Sequence, residues 1–298
     1  MSFLNPVSEP VKRFKSTDAG APQINYNSRS AGDVYAILKA CLVNGYGSVA
    51  SAGWTVTNET ANAGEFVSPS ASMSDYRLGI DDKTATKTDW YYQYQNARTN
   101  PSYNNPTKSF TYIDKTHASN GWQLLATDRG IIFVELVQHT AVNKLSARIT
   151  YWGALKSALI DTTGKNICFF NLGHNAAITI PFYFYSSTNY VHVNLSTNLG
   201  AYMSSVTSNA LSSSDVILDE SNVDLISPIY LSNTNYKLLL AELPPILSKI
   251  VNKSTDLFGV DEYTLDGRSV LSVCAGFSTN TPQTPSRTFL IRTDFWGY

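Results

Sequence analysis

The sequence predicts a mainly β protein, a β-sandwich or a set of curved antiparallel sheets, with one N-terminal amphipathic helix and few further short helices. Three observations lead there: apolar residues alternate with period two along most of the chain, the apolar runs are strand-sized, and turn-forming residues separate them at short spacing. With 298 residues of which 43% are hydrophobic, the chain can bury a sizeable core in one large domain or two smaller ones.

Residues 1–29 contain Pro6, Pro10, Pro22 and the small-residue cluster Asp18-Ala19-Gly20-Ala21-Pro22, which predicts an extended N-terminal arm. An arm with so little apolar content cannot stabilise itself and is expected to be loose in the isolated protein and to dock on other subunits. Residues 30–298 then form the β-rich body, and a division into two lobes near 155–200 is left open. The helix opens the body: Val34, Ile37, Leu38, Cys41 and Leu42 recur at helical spacing and supply its apolar core face. Ser30 is the candidate N-cap, Asp33 the acid of the first turn, and Asn44-Gly45 the left-handed stop.

Strands are expected at 54–57, 76–80 and 90–94, with Trp90, Tyr92 and Tyr94 sharing a face. The strongest hairpin joins 122–126 to 131–138 through Thr127-Asp128-Arg129-Gly130. Further strands follow at 147–152, 166–172, 178–185 and 190–193. The Ser-rich stretch 203–215 predicts an exposed loop. Pro244-Pro245 interrupt the apolar segment 236–251, which predicts packed irregular chain and then a short helical turn. Two last strands are expected at 269–275 and 287–294.

Charge excludes some functions. Lys and Arg total 22 against 23 Asp and Glu, a net charge of −1, so no positive field gathers phosphates or anionic lipid, and no nucleic-acid partner is expected. Apolar runs fall short of the roughly 18 residues that span a bilayer, and no signal-peptide core follows Met1. Neither membrane insertion nor export is expected; the sequons at Asn58, Asn194 and Asn252 would matter only on secretion.

Reactive groups are sparse. The 4 histidines, His117, His139, His174 and His192, have no metal-ligand spacing, and the 3 cysteines, Cys41, Cys168 and Cys274, form neither a CxxC clamp nor an even framework. Cys41 reads as a small core residue. Asp81-Asp82 reads as a solvated turn, and Glu135 as a structural charge paired with Arg148 or Lys144, since it shares a strand face with Ile131 and Phe133. No nucleophile elbow, phosphate loop or dinucleotide motif occurs. Neither catalytic activity, metal nor cofactor is therefore expected. Tyr91, Tyr92, Tyr94 and Tyr103, interleaved with Gln93, Gln95, Asn96, Asn100, Asn104 and Asn105, are residue types that stack on sugars. The same types suit an oligomer contact, the reading we favour.

Two segments carry a family resemblance: residues 14–22, Phe-Lys-Ser-Thr-Asp-Ala-Gly-Ala-Pro, and residues 31–47, ending Cys41-Leu42-Val43-Asn44-Gly45-Tyr46-Gly47. Together they resemble the opening of a family of uncharacterised virion proteins of tailed bacteriophages. Gly53-Trp54, residues 76–82 and residues 122–134 are also similar. The likeness is specific over 12–47, moderate to about 185 and weak beyond, and 237–245 departs from the Arg-Gly-x-Leu-Pro-Gly segment of relatives. The resemblance implies a virion structural component made in the host cytoplasm. Near-neutral charge and a Tyr- and amide-rich composition suit a subunit that buries surface on neighbours, and the resemblance implies a homo-oligomeric tail, baseplate or fibre-attachment subunit, a trimer or hexamer under the threefold or sixfold axes of a tail, with itself and other virion proteins as partners. A receptor- or host-surface-glycan-binding tail module, and a capsid decoration or head-fibre protein, are the alternatives.

Overall fold

A computed structural model describes residues 8–25, 28–74, 76–94, 109–114, 119–139, 144–154, 156–157, 167–172, 206–209, 225–233, 238–250, 260–275 and 287–298. The chain is mainly β, as the alternation predicts. It begins with β1 (Ser8–Pro10) and β2 (Lys12–Lys15), then helix α1 (Asp33–Lys39), which runs into a π turn (Ala40–Asn44). Next come β3 (Thr55–Thr60), β4 (Ala63–Val67), β5 (Tyr76–Asp81), β6 (Lys87–Tyr94) and β7 (Ser109–Asp114), neighbours in sequence and in a five-stranded antiparallel sheet. The third group is β8 (Ser119–Ala126), β9 (Gly130–His139), β10 (Lys144–Ala154), β11 (Lys156–Ser157) and β12 (Ile167–Leu172). The last is β13 (Val206–Asn209), β14 (Leu225–Asn233), β15 (Leu238–Ile250), β16 (Val260–Leu265), β17 (Arg268–Ala275), β18 (Arg287–Arg292) and β19 (Phe295–Gly297).

A 12-stranded sheet runs β13-β14-β15-β18-β17-β10-β9-β8-β2, with β11, β12 and β16 attached beside β15, β10 and β17. It draws strands from both sides of 155–200, so one sheet crosses the region where two lobes were left open. Its pairings are antiparallel except for one parallel contact, Ala147 with Ala275. The β8–β9 hairpin lies near the β2 end of this sheet, closed as predicted through Thr127–Gly130, where the Thr127 amide donates to the Gly130 carbonyl (2.9 Å). Leu124, Leu125, Ala126, Ile131, Ile132, Phe133 and Val134 are all buried. Consecutive residues point to opposite faces, so this hairpin is covered on both sides, which is why its sequence reads as continuous apolar runs. At the β9–β10 end, a Cβ on Gly153 would sit 2.6 Å from the Gly130 Cα, so only glycine permits the close crossing.

The five-stranded sheet packs on the large one through Trp90 against Phe133 (ring centroids 6.0 Å apart), and Trp54, just before β3, meets Trp152 of β10 edge-on at 5.5 Å. Helix α1 is buried more completely than an amphipathic helix would be. Val34, Ile37, Leu38 and Cys41 are buried, but so is Tyr35, which packs on Phe66 of β4 at 5.8 Å while Gly64 leaves room for its hydroxyl.

Several expectations are corrected. Ser30 does not cap α1: Gly32, at φ 84°, turns the chain into the helix, and the Asp82 carboxylate accepts from the Val34 and Tyr35 amides at 2.9 and 3.1 Å. The stretch 203–215 holds a strand, β13, rather than only loop. Within 236–251, Leu238–Ile250 form the long strand β15 instead of irregular chain with a helical turn. Pro244-Pro245 sit where its partners change: Ala241 and Glu242 face β11, whereas Ile246 to Lys249 pair with β18, and the register with β14 shifts between Pro228 and Tyr230. Two residues without N–H donors are tolerated at such an irregularity. Strands expected at 178–185 and 190–193 lie outside the described residues.

The N-terminal arm is also revised. Its described part is extended, but it belongs to the body: β1 pairs with β19, β2 pairs with β8, and Phe14 is buried in the core. An alternating Lys12-Arg13-Phe14-Lys15 suffices for an edge strand that places one aromatic inward.

Candidate functional site

The predicted Tyr-rich surface divides. Register sets Trp90, Tyr92 and Tyr94 opposite Ile80, Leu78 and Tyr76, all three of which are buried, while Tyr91 lies opposite Gly79 and Phe110. Tyr92 and Tyr94 thus occupy positions of the core-side alternation and Tyr91 a position of the other face, and Tyr103 lies outside the described residues. The backbone does not align the three β6 tyrosines on one strand face. His117, His174 and His192 also lie outside the described residues.

Residues 14–22 and 41–47 converge. Lys15, Asp18 and Ala21 build a tight turn, in which the Asp18 carboxylate accepts from the Lys15 amide (2.8 Å) and the Ala21 amide donates to the Asp18 carbonyl (3.1 Å). The same Asp18 oxygen accepts from the Tyr46 hydroxyl (2.8 Å). Tyr46 is wedged between Phe14 and Trp122, with ring centroids 6.1 and 6.5 Å away. Trp122 in turn donates from Nε1 to the Pro22 carbonyl (2.9 Å) and accepts at its own carbonyl from the Ser16 amide (3.0 Å). Gly47, at φ 52°, lies so close to the Ala19 carbonyl that a Cβ would meet it at 2.3 Å. The motif therefore joins arm, helix end and hairpin, with Gly20 and Gly47 exposed above buried aromatics. Burial and the Asp18 hydrogen bond push the Tyr46 hydroxyl far above its ordinary pKa, as expected of a fixed donor.

Beneath lies a buried group of charges. Arg29 Nε donates to Asp33 Oδ2 (2.7 Å), Arg29 Nη1 donates to Glu135 Oε1, and Arg148 Nη1 stands 3.8 Å from Glu135 Oε2. Their side chains are 4%, 5%, 1% and 3% exposed for Arg29, Asp33, Glu135 and Arg148. Arg29 is desolvated, yet Glu135 and Asp33 outweigh that and hold its guanidinium charged. Register sets Arg148 opposite Glu135, one of the two partners the alternation named; Arg29 was missed, although its i,i+4 spacing to Asp33 is a sequence signal. The Glu135 carboxylate, 1% exposed, thus faces two guanidiniums rather than solvent. Asp82 is likewise not the solvated turn acid expected: it is fully buried, bonded to the α1 amides and to the Thr88 hydroxyl (2.7 Å).

A second, exposed ionic contact ties β2 to β16. Glu262 accepts from Arg13 (2.5 Å) and Lys15 (3.1 Å). The Arg13 hydrogen bond, opposed by burial and aided by Lys15, holds the Glu262 carboxyl down to about 2. Because the folded value lies below that of an ordinary carboxyl, this contact stabilises the fold above the ordinary carboxyl range and is lost as pH falls towards 2. Glu9, beside Arg129, is displaced the other way: burial prevails over the cation and raises its pKa, so its contribution is present at low pH and lost as pH rises. We expect Glu262→Gln to flatten the acid limb of the thermal midpoint between pH 5 and 2 by a small, salt-sensitive amount, since Glu262 is half exposed. An acid limb identical to that of the parent chain would refute the contact.

Compared with protein-family models, curated proteins and solved structures, the chain has no match. Among the described residues no cluster of His, Cys, Asp or Glu could hold a metal, and no helix is long and apolar enough to cross a membrane.

Proposed function

We propose that the chain is a structural component of a tailed-phage virion, a homo-oligomeric tail or baseplate-region subunit that works through protein–protein interfaces. The supporting observation is the convergence of 14–22 and 41–47 around Tyr46 and Trp122, which gives the shared segments a common physical task. They lock arm, helix and hairpin and leave two glycine turns at the surface, where backbone can approach a neighbour closely. Near-neutral charge favours such burial, because desolvating Tyr and amide groups costs less than desolvating Lys or Glu.

The test is the particle itself. Mass spectrometry and cryo-EM of purified virions should find the chain at the tail in copies that are multiples of three or six, each sharing more than about 800 Å² with a neighbour. Recovery only in the soluble lysate would overturn the reading, and a count matching the capsid lattice would transfer the chain to decoration. The purified protein should cleave neither host polysaccharide nor peptidoglycan. Hydrolysis abolished by Glu135→Gln would make it an enzyme instead.

A further inference from the structure

The N-terminal arm is bound to the body in a manner that does not depend on being part of the same chain. β2 pairs only with β8 among the described residues, at the end of the large sheet, and β1 pairs only with β19. Removing either strand breaks no ladder that runs through it. The side-chain anchors are equally remote in sequence: Arg13 and Lys15 on Glu262, Glu9 on Arg129, and Pro22 on Trp122. Phe14 fills its place in the core from this edge.

The connection to the body has the opposite character. Between Pro22 and the Gly32 amide, which donates to the Asp82 carbonyl (2.7 Å), the described linker residues belong to no helix or strand, and Gln23, Asn25, Ser28 and Ser30 are exposed. Arg29 pins the far end of this linker to Asp33 and Glu135. The chain can therefore pivot upstream of Arg29 without loosening α1, and a linker of this length reaches up to about 25 Å when extended.

We infer that residues 8–23 form an exchangeable arm, and that on assembly the arm of one copy occupies the β8 and β19 edges of a second copy. Every contact made within one chain is then remade between chains, so exchange costs little beyond re-routing the linker while tying the copies together. The inference rests on the oligomeric reading above and names the element that joins its subunits. The occupant is a second copy of this chain because the acceptor edges already fit this segment residue for residue, Lys12 on Ala126 through Lys15 on Gln123.

Disulfide trapping tests it. Lys15 and Gln123 are directly paired, as are Ser8 and Gly297, and antiparallel partners lie within the reach of a disulfide. The double variant Lys15→Cys/Gln123→Cys is oxidised in the assembled state, with the parent chain as control for the native cysteines, and run on a non-reducing gel. Exchange predicts covalent species of two or more chains as the main product, and single-chain bands for the same variant oxidised as monomer. If the first pair disturbs folding, Ser8→Cys/Gly297→Cys decides at the other end of the arm. Single-chain bridging in the assembled fraction overturns the exchange and leaves the subunit reading standing. A chain that neither self-associates nor enters a particle overturns both.

Discussion

Arg29→Ala is expected to destabilise the protein by about 3–5 kcal/mol, the cost of breaking a buried ion pair by removing one partner. Arg29 bridges Asp33 of α1 and Glu135 of β9, all nearly inaccessible to water. Its loss removes the cation shared by two buried carboxylates; Asp33 keeps the Val34 amide (2.7 Å), whereas Arg148 stands 3.8 Å from the other oxygen of Glu135, beyond hydrogen-bond distance. The exposed Lys83–Asp81 pair supplies the contrast: Lys83→Ala should change stability by less than about 1 kcal/mol. Urea unfolding at two ionic strengths separates the cases, because a desolvated pair is hardly screened by salt. A loss for Arg29→Ala below about 1 kcal/mol, or one that disappears in salt, would show the cluster to be solvated.

Leu38→Ala should cost about 2–5 kcal/mol, the sum of the lost transfer free energy and the cavity left behind. The upper part of that range is expected here because Leu38 is enclosed: Ile37, Cys41 and Leu42 are also fully buried, and Tyr35 is held between Phe66 and the Glu59 carboxylate. A helix fixed on several sides cannot settle into the void. The unfolding midpoint is the readout, and an unchanged value would remove Leu38 from the core.

The fold class was legible because period-two alternation reports strands directly, and the 127–130 turn announces its hairpin. The helix was legible from its i, i+3, i+4 pattern, yet its cap was not, since Asp82 reaches Val34 and Tyr35 from a distant part of the chain and no local spacing marks it. For the same reason Arg148 was foreseen beside Glu135 while Arg29 was not: strand alternation predicts cross-strand partners but not what a linker brings over the sheet. Pro244-Pro245 misled, because a proline pair breaks most strands and only the change of partners around β15 accommodates it. The arm misled through composition, as four residues with one buried aromatic carry too weak a signal to reveal an edge strand. Of the candidate surface, sequence spacing gathered Tyr91 with Tyr92 and Tyr94, which the alternation of β6 sets on opposite faces.

The π turn after α1 has a consequence for how this chain tolerates changes of length. In Ala40–Asn44 the Gly45 amide donates to the Ala40 carbonyl, five residues back, at 2.7 Å. The turn thus holds one residue more than an α-helical closure would. Deleting the exposed Asn44 would restore ordinary helical closure and rotate all that follows by about 100°. Tyr46 would then swing off Asp18 and Trp122, and Gly47 off the Ala19 carbonyl, with every core side chain still present. The extra residue acts as a phase setting: it fixes the azimuth at which the chain leaves the helix, so that insertion or deletion here changes direction where substitution would change only packing.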